Sequence, residues 1–123
     1  MRVLVVDDDA PFLGMLVAAL EEDGHAVMTA SDGRAALAKA SHMAPDVIVL
    51  DVRMPGMDGP AFARAYSRRR GPQAPIVVVS GFAGVRTEVD SAVAYFSKPF
   101  DIDRLLAVLR NLAPPPLSTT PKP

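Results

Sequence analysis

Residues 47–59 read Val-Ile-Val-Leu-Asp-Val-Arg-Met-Pro-Gly-Met-Asp-Gly. The first four residues are apolar without alternation, which is typical of a strand that is buried on both faces of a parallel sheet. Asp51 follows this strand directly, and the pair Asp58-Gly59 is typical of a turn and cap before a helix. The stretch therefore predicts a central strand with a carboxylate at its carboxyl end.

Strands and helices alternate on both sides of this stretch. Apolar runs predict four more strands, at Val3–Val6, Ala26–Thr29, Ile76–Val79 and Ala92–Phe96. Helical spacing of apolar residues predicts helices over Phe12–Leu20, Asp32–Ser41, Pro60–Arg70 and Ile102–Leu112, and a poorer, short helix over Val85–Ser91. This alternation predicts an α/β fold with a five-stranded parallel sheet that is covered on both faces.

The composition excludes several classes of protein. A chain of 123 residues with 50% hydrophobic and 22% charged residues fits one globular domain. A net charge of −1 gives no general attraction to nucleic acid or to an anionic membrane. The absence of cysteine excludes disulfides, thiolate catalysis and cysteine-based metal sites. No apolar run reaches the roughly 18 residues of a membrane span, and no signal peptide is recognised, so we expect a cytoplasmic protein.

The carboxyl-terminal residues differ in composition from the rest of the chain. Five of the 12 prolines lie within residues 113–123. Such a stretch favours extended polyproline conformations over a packed core. We therefore predict one domain over residues 1–112 and a Pro-rich tail or linker over residues 113–123.

Polar side chains stand where four of the five predicted strands end: Asp7, Asp8 and Asp9 after the first, Asp51 after the third, Ser80 after the fourth and Lys98 after the fifth. Ligands of open parallel sheets bind beyond the carboxyl ends of the strands. In the strand order 2-1-3-4-5 these four strands are contiguous, and their polar residues share one pocket. The second strand is followed only by Ala30-Ser31 and would lie at the edge.

This set of side chains suits the chemistry of a phosphoryl group. Clustered carboxylates repel one another unless a cation lies between them, and hard oxygen ligands favour Mg²⁺ or Ca²⁺ over zinc. A carboxylate can accept a phosphoryl group as an aspartyl phosphate, while a lysine and a hydroxyl would face the remaining oxygens. Ser80 has no neighbouring histidine, so Asp51 is the better-placed nucleophile.

Each of these residues also has an ordinary structural interpretation. Asp9 can cap the first helix, and Asp51 taken alone can be a turn residue. The run Arg68–Arg70 suits the carboxyl end of a helix and a solvated surface. The functional interpretation depends on unrelated residues falling at the same end of the sheet.

The motifs that carry a family resemblance are Val-Val-Asp7-Asp8-Asp9, Leu50-Asp51-Val-Arg-Met-Pro55-Gly-Met-Asp58-Gly59, Val79-Ser80-Gly and Tyr95-Phe-Ser-Lys98-Pro99-Phe. Over residues 1–112 the chain resembles the receiver domain of two-component response regulators, and its Ser-Gly-Phe segment at residues 80–82 resembles single-domain and hybrid-kinase receivers. The resemblance implies a flavodoxin-like fold with strand order 2-1-3-4-5. It also implies a histidine kinase or histidine phosphotransfer protein as phosphodonor, and a downstream protein partner.

The resemblance also assigns roles to single residues. It implies that Asp51 is the phosphoacceptor, that Ser80 and Lys98 contact the phosphoryl group, and that Ser80 and Tyr95 form the switch. Mg²⁺ would be held by three carboxylates and one backbone carbonyl, namely Asp7, Asp8, Asp51 and the carbonyl of Arg53. The peptide bond before Pro99 would be cis.

The chain departs from the family pattern between Ser80 and Lys98. These residues are 18 positions apart, about one helical turn, or roughly 3.6 residues, fewer than in typical receivers. We therefore predict that the helix over Val85–Ser91, the fourth along the chain, is shortened. A shortened helix there disfavours an ordinary dimer across that face. Arg53 and Phe82 would flank the path of an attacking water and slow self-dephosphorylation.

Two other functions are compatible with part of the pattern. An aspartate-nucleophile phosphatase would carry a second acidic residue two positions after its nucleophile, where this chain has Arg53. A pseudo-receiver would bind partners without phosphorylation, which the complete set of site residues argues against. We therefore expect a signalling switch and not an enzyme, with at most self-phosphorylation from small donors and self-dephosphorylation.

Overall fold

The computed structural model describes residues 1–81, 89 and 91–112. The elements in chain order are β1 (Arg2–Val6), α1 (Ala10–Glu22), β2 (Ala26–Ala30), α2 (Gly33–Met43), β3 (Val47–Asp51), α3 (Gly59–Arg68), β4 (Ile76–Ser80), β5 (Ala92–Ser97) and α4 (Ile102–Leu112). Phe82, the predicted tail at residues 113–123 and most of the predicted short helix at residues 85–91 lie outside the described residues. The prediction of a shortened helix there stays a prediction.

The strands form one parallel sheet in the order β2-β1-β3-β4-β5. This order confirms the predicted flavodoxin-like arrangement. β3 and β4 are buried along their whole length, whereas β2 and β5 at the edges are partly exposed. The continuous apolar runs of the central strands follow from this burial, since each of their faces contacts a layer of helices.

Two hydrophobic cores lie on opposite faces of the sheet. Alternate residues of the strands point to each face, as the two-residue period of a strand requires. On one face they pack against α2 and α3, where Phe62 and Tyr66 are fully buried and their rings stack at 5.6 Å. On the other face they pack against α1 and α4, through buried leucines such as Leu16 and Leu105.

Three aspartates cap three of the helices. Asp9 accepts a hydrogen bond from the Phe12 amide at 3.2 Å at the start of α1. Asp32 and Asp58 do the same for α2 and α3, with distances of 2.8 and 3.0 Å. Each cap pairs an amide that would otherwise lack a partner within the helix. The capping predictions for Asp9 and Asp58 are thereby confirmed.

The end of α3 differs from the sequence prediction, which extended this helix to Arg70. The helix ends at Arg68, because Arg69 adopts an extended backbone with φ −77° and ψ 156°. The Arg69 guanidinium turns back over the Tyr66 ring at 4.4 Å and donates to the carbonyls of Arg70 and Pro72. Side-chain contacts of Arg69 thus replace a further helical turn.

Candidate functional site

Three carboxylates meet at the carboxyl end of the central strands. Parallel pairing of Val6 with Leu50 places the next residues of the two strands, Asp7 and Asp51, side by side. Carboxylate oxygens of Asp7, Asp8 and Asp51 lie within 4.8 Å of one another. We call these three residues the acidic cluster. The structure therefore brings together the three side chains that the sequence proposed as metal ligands.

The members of the acidic cluster differ in burial. Asp7 is fully buried and Asp51 is 6% exposed, whereas Asp8 faces solvent. Asp7 is held on both oxygens: Oδ1 accepts the Asp9 amide at 2.9 Å, and Oδ2 accepts the Lys98 ammonium at 2.8 Å. Asp7 is thus fixed by protein contacts, while Asp8 is the member most accessible from outside.

Asp51 is less acidic than an ordinary aspartate. Burial raises the pKa of its carboxyl to about 6, and the charges of Asp7 and Asp8 act in the same direction. The Lys98 ammonium and the Val52 amide act in the opposite direction without cancelling the increase. Ionised Asp51 is therefore held in a site that disfavours its charge, and a cation or a charge-neutralising ligand would relieve this cost.

Ser80, the last residue of β4, and Lys98, the first residue after β5, lie beside the cluster. Asp51 pairs with Val79 across β3 and β4, so the fully buried Ser80 is the next residue outward. The Lys98 amide donates to the Ser80 carbonyl at 2.7 Å. The Lys98–Pro99 peptide bond is cis, as the family resemblance implied. The backbone thus ties together the two residues that were expected to contact a phosphoryl group.

The loop after Asp51 is shaped by a close backbone approach. The Gly59 amide at the start of α3 donates to the Val52 carbonyl at 2.9 Å. A Cβ atom at Gly59 would lie 2.6 Å from the Asp51 carbonyl oxygen, which is closer than a Cβ atom can lie to a backbone atom. Glycine at this position therefore lets α3 begin directly against the loop. The Arg53 side chain on this loop is exposed.

Tyr95, which was expected to form the switch together with Ser80, is half-buried on β5. Its hydroxyl donates to the Val89 carbonyl at 2.6 Å. Val89 is buried in the core on the α2–α3 face of the sheet. Tyr95 therefore links the sheet to the connection between β4 and β5.

One contact at the site was not expected from the sequence. The Lys98 ammonium lies 4.1 Å from the centroid of the Phe12 ring. In the sequence, Phe12 belongs to the apolar stripe of the first helix, and no local pattern links it to a residue so distant in the chain. The ring also lines a cavity of about 340 Å³ together with Met15, Lys98, Pro99, Phe100 and Ile102.

Comparison with known proteins identifies the family. The response regulator receiver domain matches residues 3–110. The chain belongs to this family. It is a receiver domain of two-component response regulators, as its motifs had indicated.

The curated relatives of this receiver are longer proteins. It is 37% identical over 117 residues to the transcriptional regulatory protein TcrA of Mycobacterium tuberculosis, covering 92% of this chain and 46% of the relative. It is 40% identical over 119 residues to the transcriptional regulatory protein PrrA of Mycobacterium leprae, covering 90% and 49%. The receiver thus spans about half the length of these relatives.

Solved receivers superimpose over most of their length. The chemotaxis response regulator CheY4 of Vibrio cholerae has a TM-score of 0.82 and 34% identity, covering 91% of this chain and 98% of that one. The response regulator TrrA of Thermotoga maritima, solved in complex with Mg²⁺ and BeF, has a TM-score of 0.83 and 30% identity with the same coverage.

Within the described residues of the present receiver, no helix is both long and apolar enough to cross a membrane.

Proposed function

We propose that this receiver accepts a phosphoryl group on Asp51 from a histidine kinase or a histidine phosphotransfer protein. The observation that carries the proposal is the acidic cluster, in which the buried Asp51 lies within 4.8 Å of two further carboxylates. We assign this function to residues 1–112 and treat residues 113–123 as a tail or linker.

Asp51 is suited to act as the nucleophile at neutral pH. Because its pKa is about 6, the carboxylate is mostly ionised at pH 7 and has a lone pair to donate. An oxygen of Asp51 forms the new bond to phosphorus, while the phosphorus–nitrogen bond of the phosphohistidine donor breaks. The electron pair of that bond leaves with the imidazole nitrogen. With a small donor such as acetyl phosphate, a phosphorus–oxygen bond breaks, and acetate leaves with the electron pair.

The acidic cluster fits a magnesium ion. Its donors are carboxylate oxygens without sulfur or nitrogen, which is the ligand set that Mg²⁺ prefers. Asp7, Asp8 and Asp51 would hold the ion together with the backbone carbonyl of Arg53. The ion would supply neutralisation of the negative charge on the phosphoryl oxygens.

Lys98 and Ser80 would respond to the phosphoryl group. The Lys98 ammonium already pairs with Asp7 of the acidic cluster. After phosphorylation it would pair with a phosphoryl oxygen. Ser80, tied to Lys98 through the backbone, would donate its hydroxyl to another. Movement of Ser80 would reach Tyr95 and its contact with Val89, and the altered surface would change the binding of a downstream protein.

Intact-mass measurement of the 123-residue chain tests the proposal. With Mg²⁺ and acetyl phosphate, we expect a gain of one phosphoryl group that is absent in Asp51→Asn. Asp58→Asn serves as a matched control, because an asparagine at that position still caps α3 and should leave the mass gain intact. A mass gain in Asp51→Asn, or none in the parent, would contradict the proposal.

Intact mass and the release of phosphate together separate the alternatives. A pseudo-receiver would show no mass gain under any donor. An aspartate-nucleophile phosphatase would release phosphate from an added phosphorylated substrate in large excess over protein. The receiver is expected to release no phosphate from a phosphomonoester substrate, because it accepts phosphoryl groups from phosphohistidine or from small acyl phosphates.

A further inference from the structure

Lys98 lies between a buried carboxylate and an aromatic ring. Its ammonium is 2.8 Å from Asp7 Oδ2 and 4.1 Å from the centroid of the Phe12 ring. The side chain of Lys98 is only 21% exposed, and that of Asp7 is 1% exposed. Attraction between a cation and an aromatic face is stronger where water is largely excluded. The Phe12 ring is therefore an energetically relevant partner of this ammonium.

The Phe12 ring itself is held from two sides. Phe12 stands in the first turn of α1, where its amide bonds to the capping carboxylate of Asp9 at 3.2 Å. Its ring meets the Phe100 ring edge-on, with centroids 5.9 Å apart and planes at 74°. Phe100 in turn packs against Phe96 at 5.5 Å. The ring thus offers the ammonium a fixed surface.

The two partners of Lys98 differ in what else they do. Asp7 also bonds to the Asp9 amide and is proposed to share its charge with Mg²⁺. Phe12 stands outside the acidic cluster, so its attraction for the ammonium does not depend on the metal. A lysine side chain has four flexible carbons and a strongly hydrated head, so a second fixed contact restricts where its charge can lie.

We propose that Phe12 is a positioning residue for phosphoryl transfer to Asp51, because its ring holds the Lys98 ammonium beside the acidic cluster before the phosphoryl group arrives. This proposal rests on the proposed function. A charge that is already in place stabilises developing negative charge without a reorganisation cost. Loss of the ring face should slow phosphorylation about three- to tenfold, the range that such contacts support.

The contact is tested first in the unphosphorylated chain. An aromatic face shields nearby protons, so the Lys98 ε-methylene protons should resonate upfield in the NMR spectrum. Phe12→Leu should remove this shift, whereas Phe12→Tyr should keep it. Phe62→Leu is a matched control that removes a ring on the opposite face of the sheet and should also keep the shift. An unchanged shift in Phe12→Leu would overturn the contact, whether or not the chain accepts a phosphoryl group.

The role in transfer is tested by phosphorylation rates with acetyl phosphate and Mg²⁺. Phe12→Leu should be slower than the parent, and Phe12→Tyr should restore the parent rate. In the Lys98→Ala background, Phe12→Leu should cause no further slowing, since the ring acts through the ammonium. Equal slowing in both backgrounds would show that Phe12 serves packing alone and would overturn the proposal.

An isosteric replacement guards against loss of folding or of a measurable rate in these variants. Replacement of Phe12 alone by 3,5-difluorophenylalanine keeps the shape of the ring and weakens its negative face. The proposal requires slower phosphorylation with this ring, together with an unchanged thermal unfolding profile. A rate equal to that of the parent would overturn it. If the parent itself accepts no phosphoryl group, the proposed function fails, and the NMR shift still decides whether the contact exists.

Discussion

The two ends of the sheet place aspartates in opposite electrostatic environments. At the carboxyl end, burial and the charge of Asp7 raise the pKa of Asp51 to about 6. At the amino end, two hydrogen bonds from the Arg110 guanidinium, at 3.1 and 2.7 Å, lower the pKa of Asp23. Asp23 lies between α1 and β2, and Arg110 lies near the end of α4. The charge of an aspartate is therefore disfavoured at the carboxyl end, in Asp51, and stabilised by a cation at the amino end, in Asp23.

This difference separates a site for ligands from a contact that serves the fold. The Asp23–Arg110 pair links the end of α1 to α4, and these two helices pack on the same face of the sheet. In the acidic cluster, the three carboxylates lie within 4.8 Å of one another, and the Lys98 ammonium pairs with Asp7. Unpaired like charge is destabilising in the free protein, and we infer that it is retained because Mg²⁺ and a phosphoryl group use it.

The largest expected effect comes from removing one charge of the acidic cluster. Asp8→Ala should lower the rate of phosphorylation by acetyl phosphate roughly a hundredfold or more, as loss of a key charge contact does elsewhere. Asp8 is exposed, so the fold should persist. Glu22→Ala, which removes an exposed carboxylate at the opposite end of the sheet, should leave the rate unchanged. A parental rate in Asp8→Ala would remove Asp8 from the proposed metal site.

The second prediction concerns stability without metal. Because the pKa of Asp51 is raised from 3.8 to about 6 in the folded chain, the folded state binds this proton more tightly than the unfolded state. Asp51 therefore destabilises the fold progressively as the pH rises from 4 to 6, with the full effect above 6. Asp51→Asn should raise the free energy of unfolding at pH 7 by about 1–3 kcal/mol.

Chemical denaturation at pH 4 and pH 7 measures this effect. The gain from Asp51→Asn should be present at pH 7 and nearly absent at pH 4, where the parent carboxyl is largely protonated. Saturating Mg²⁺ should reduce the gain at pH 7, because the asparagine lacks a charge for the ion. Asp58→Asn should show no comparable gain, and an equal gain there would refute the electrostatic explanation.

The third prediction concerns the Arg53 side chain, two residues after the phosphoacceptor. If the Arg53 side chain obstructs an attacking water, as its position after the phosphoacceptor suggests, Arg53→Asn should speed the loss of the phosphoryl group a few-fold. The decay of the phosphorylated mass over time measures this directly. Arg34→Asn, a change at another exposed arginine, is the control. An unchanged decay rate would limit Arg53 to its backbone carbonyl.

The smallest effect is expected from the Asp23–Arg110 pair at the amino end of the sheet. Arg110→Ala removes the hydrogen bonds that lower the pKa of Asp23, so it should lower stability slightly at pH 7. The contribution of Asp23 is present above its usual pKa of 3.8 and is lost as the pH falls below it. Parent and variant should therefore converge in stability towards pH 3. Phosphorylation of Arg110→Ala should match the parent, and a slower rate would mean that the two ends are coupled.

The sequence by itself determined the strands, their parallel arrangement and the residues that follow each strand. These features depend on local periodicity and on the rule that carboxyl ends of parallel strands meet at one edge. Asp7, Asp8 and Asp51 were therefore placed together without a structure, and the caps at Asp9 and Asp58 followed from residue type alone. The resemblance of the motifs added the cis peptide bond before Pro99, which the structure contains.

Only the tertiary structure decided the contacts between distant segments. Lys98 pairs with Asp7 across 91 residues and lies over Phe12, because α1 and the connection after β5 pack against each other. The pKa of Asp51 depends on burial that several elements create jointly. The end of α3 likewise follows from the contact of Arg69 with Tyr66 and the loop beyond it. Periodicity carries no information on such pairings, since they depend on how completed elements pack in three dimensions.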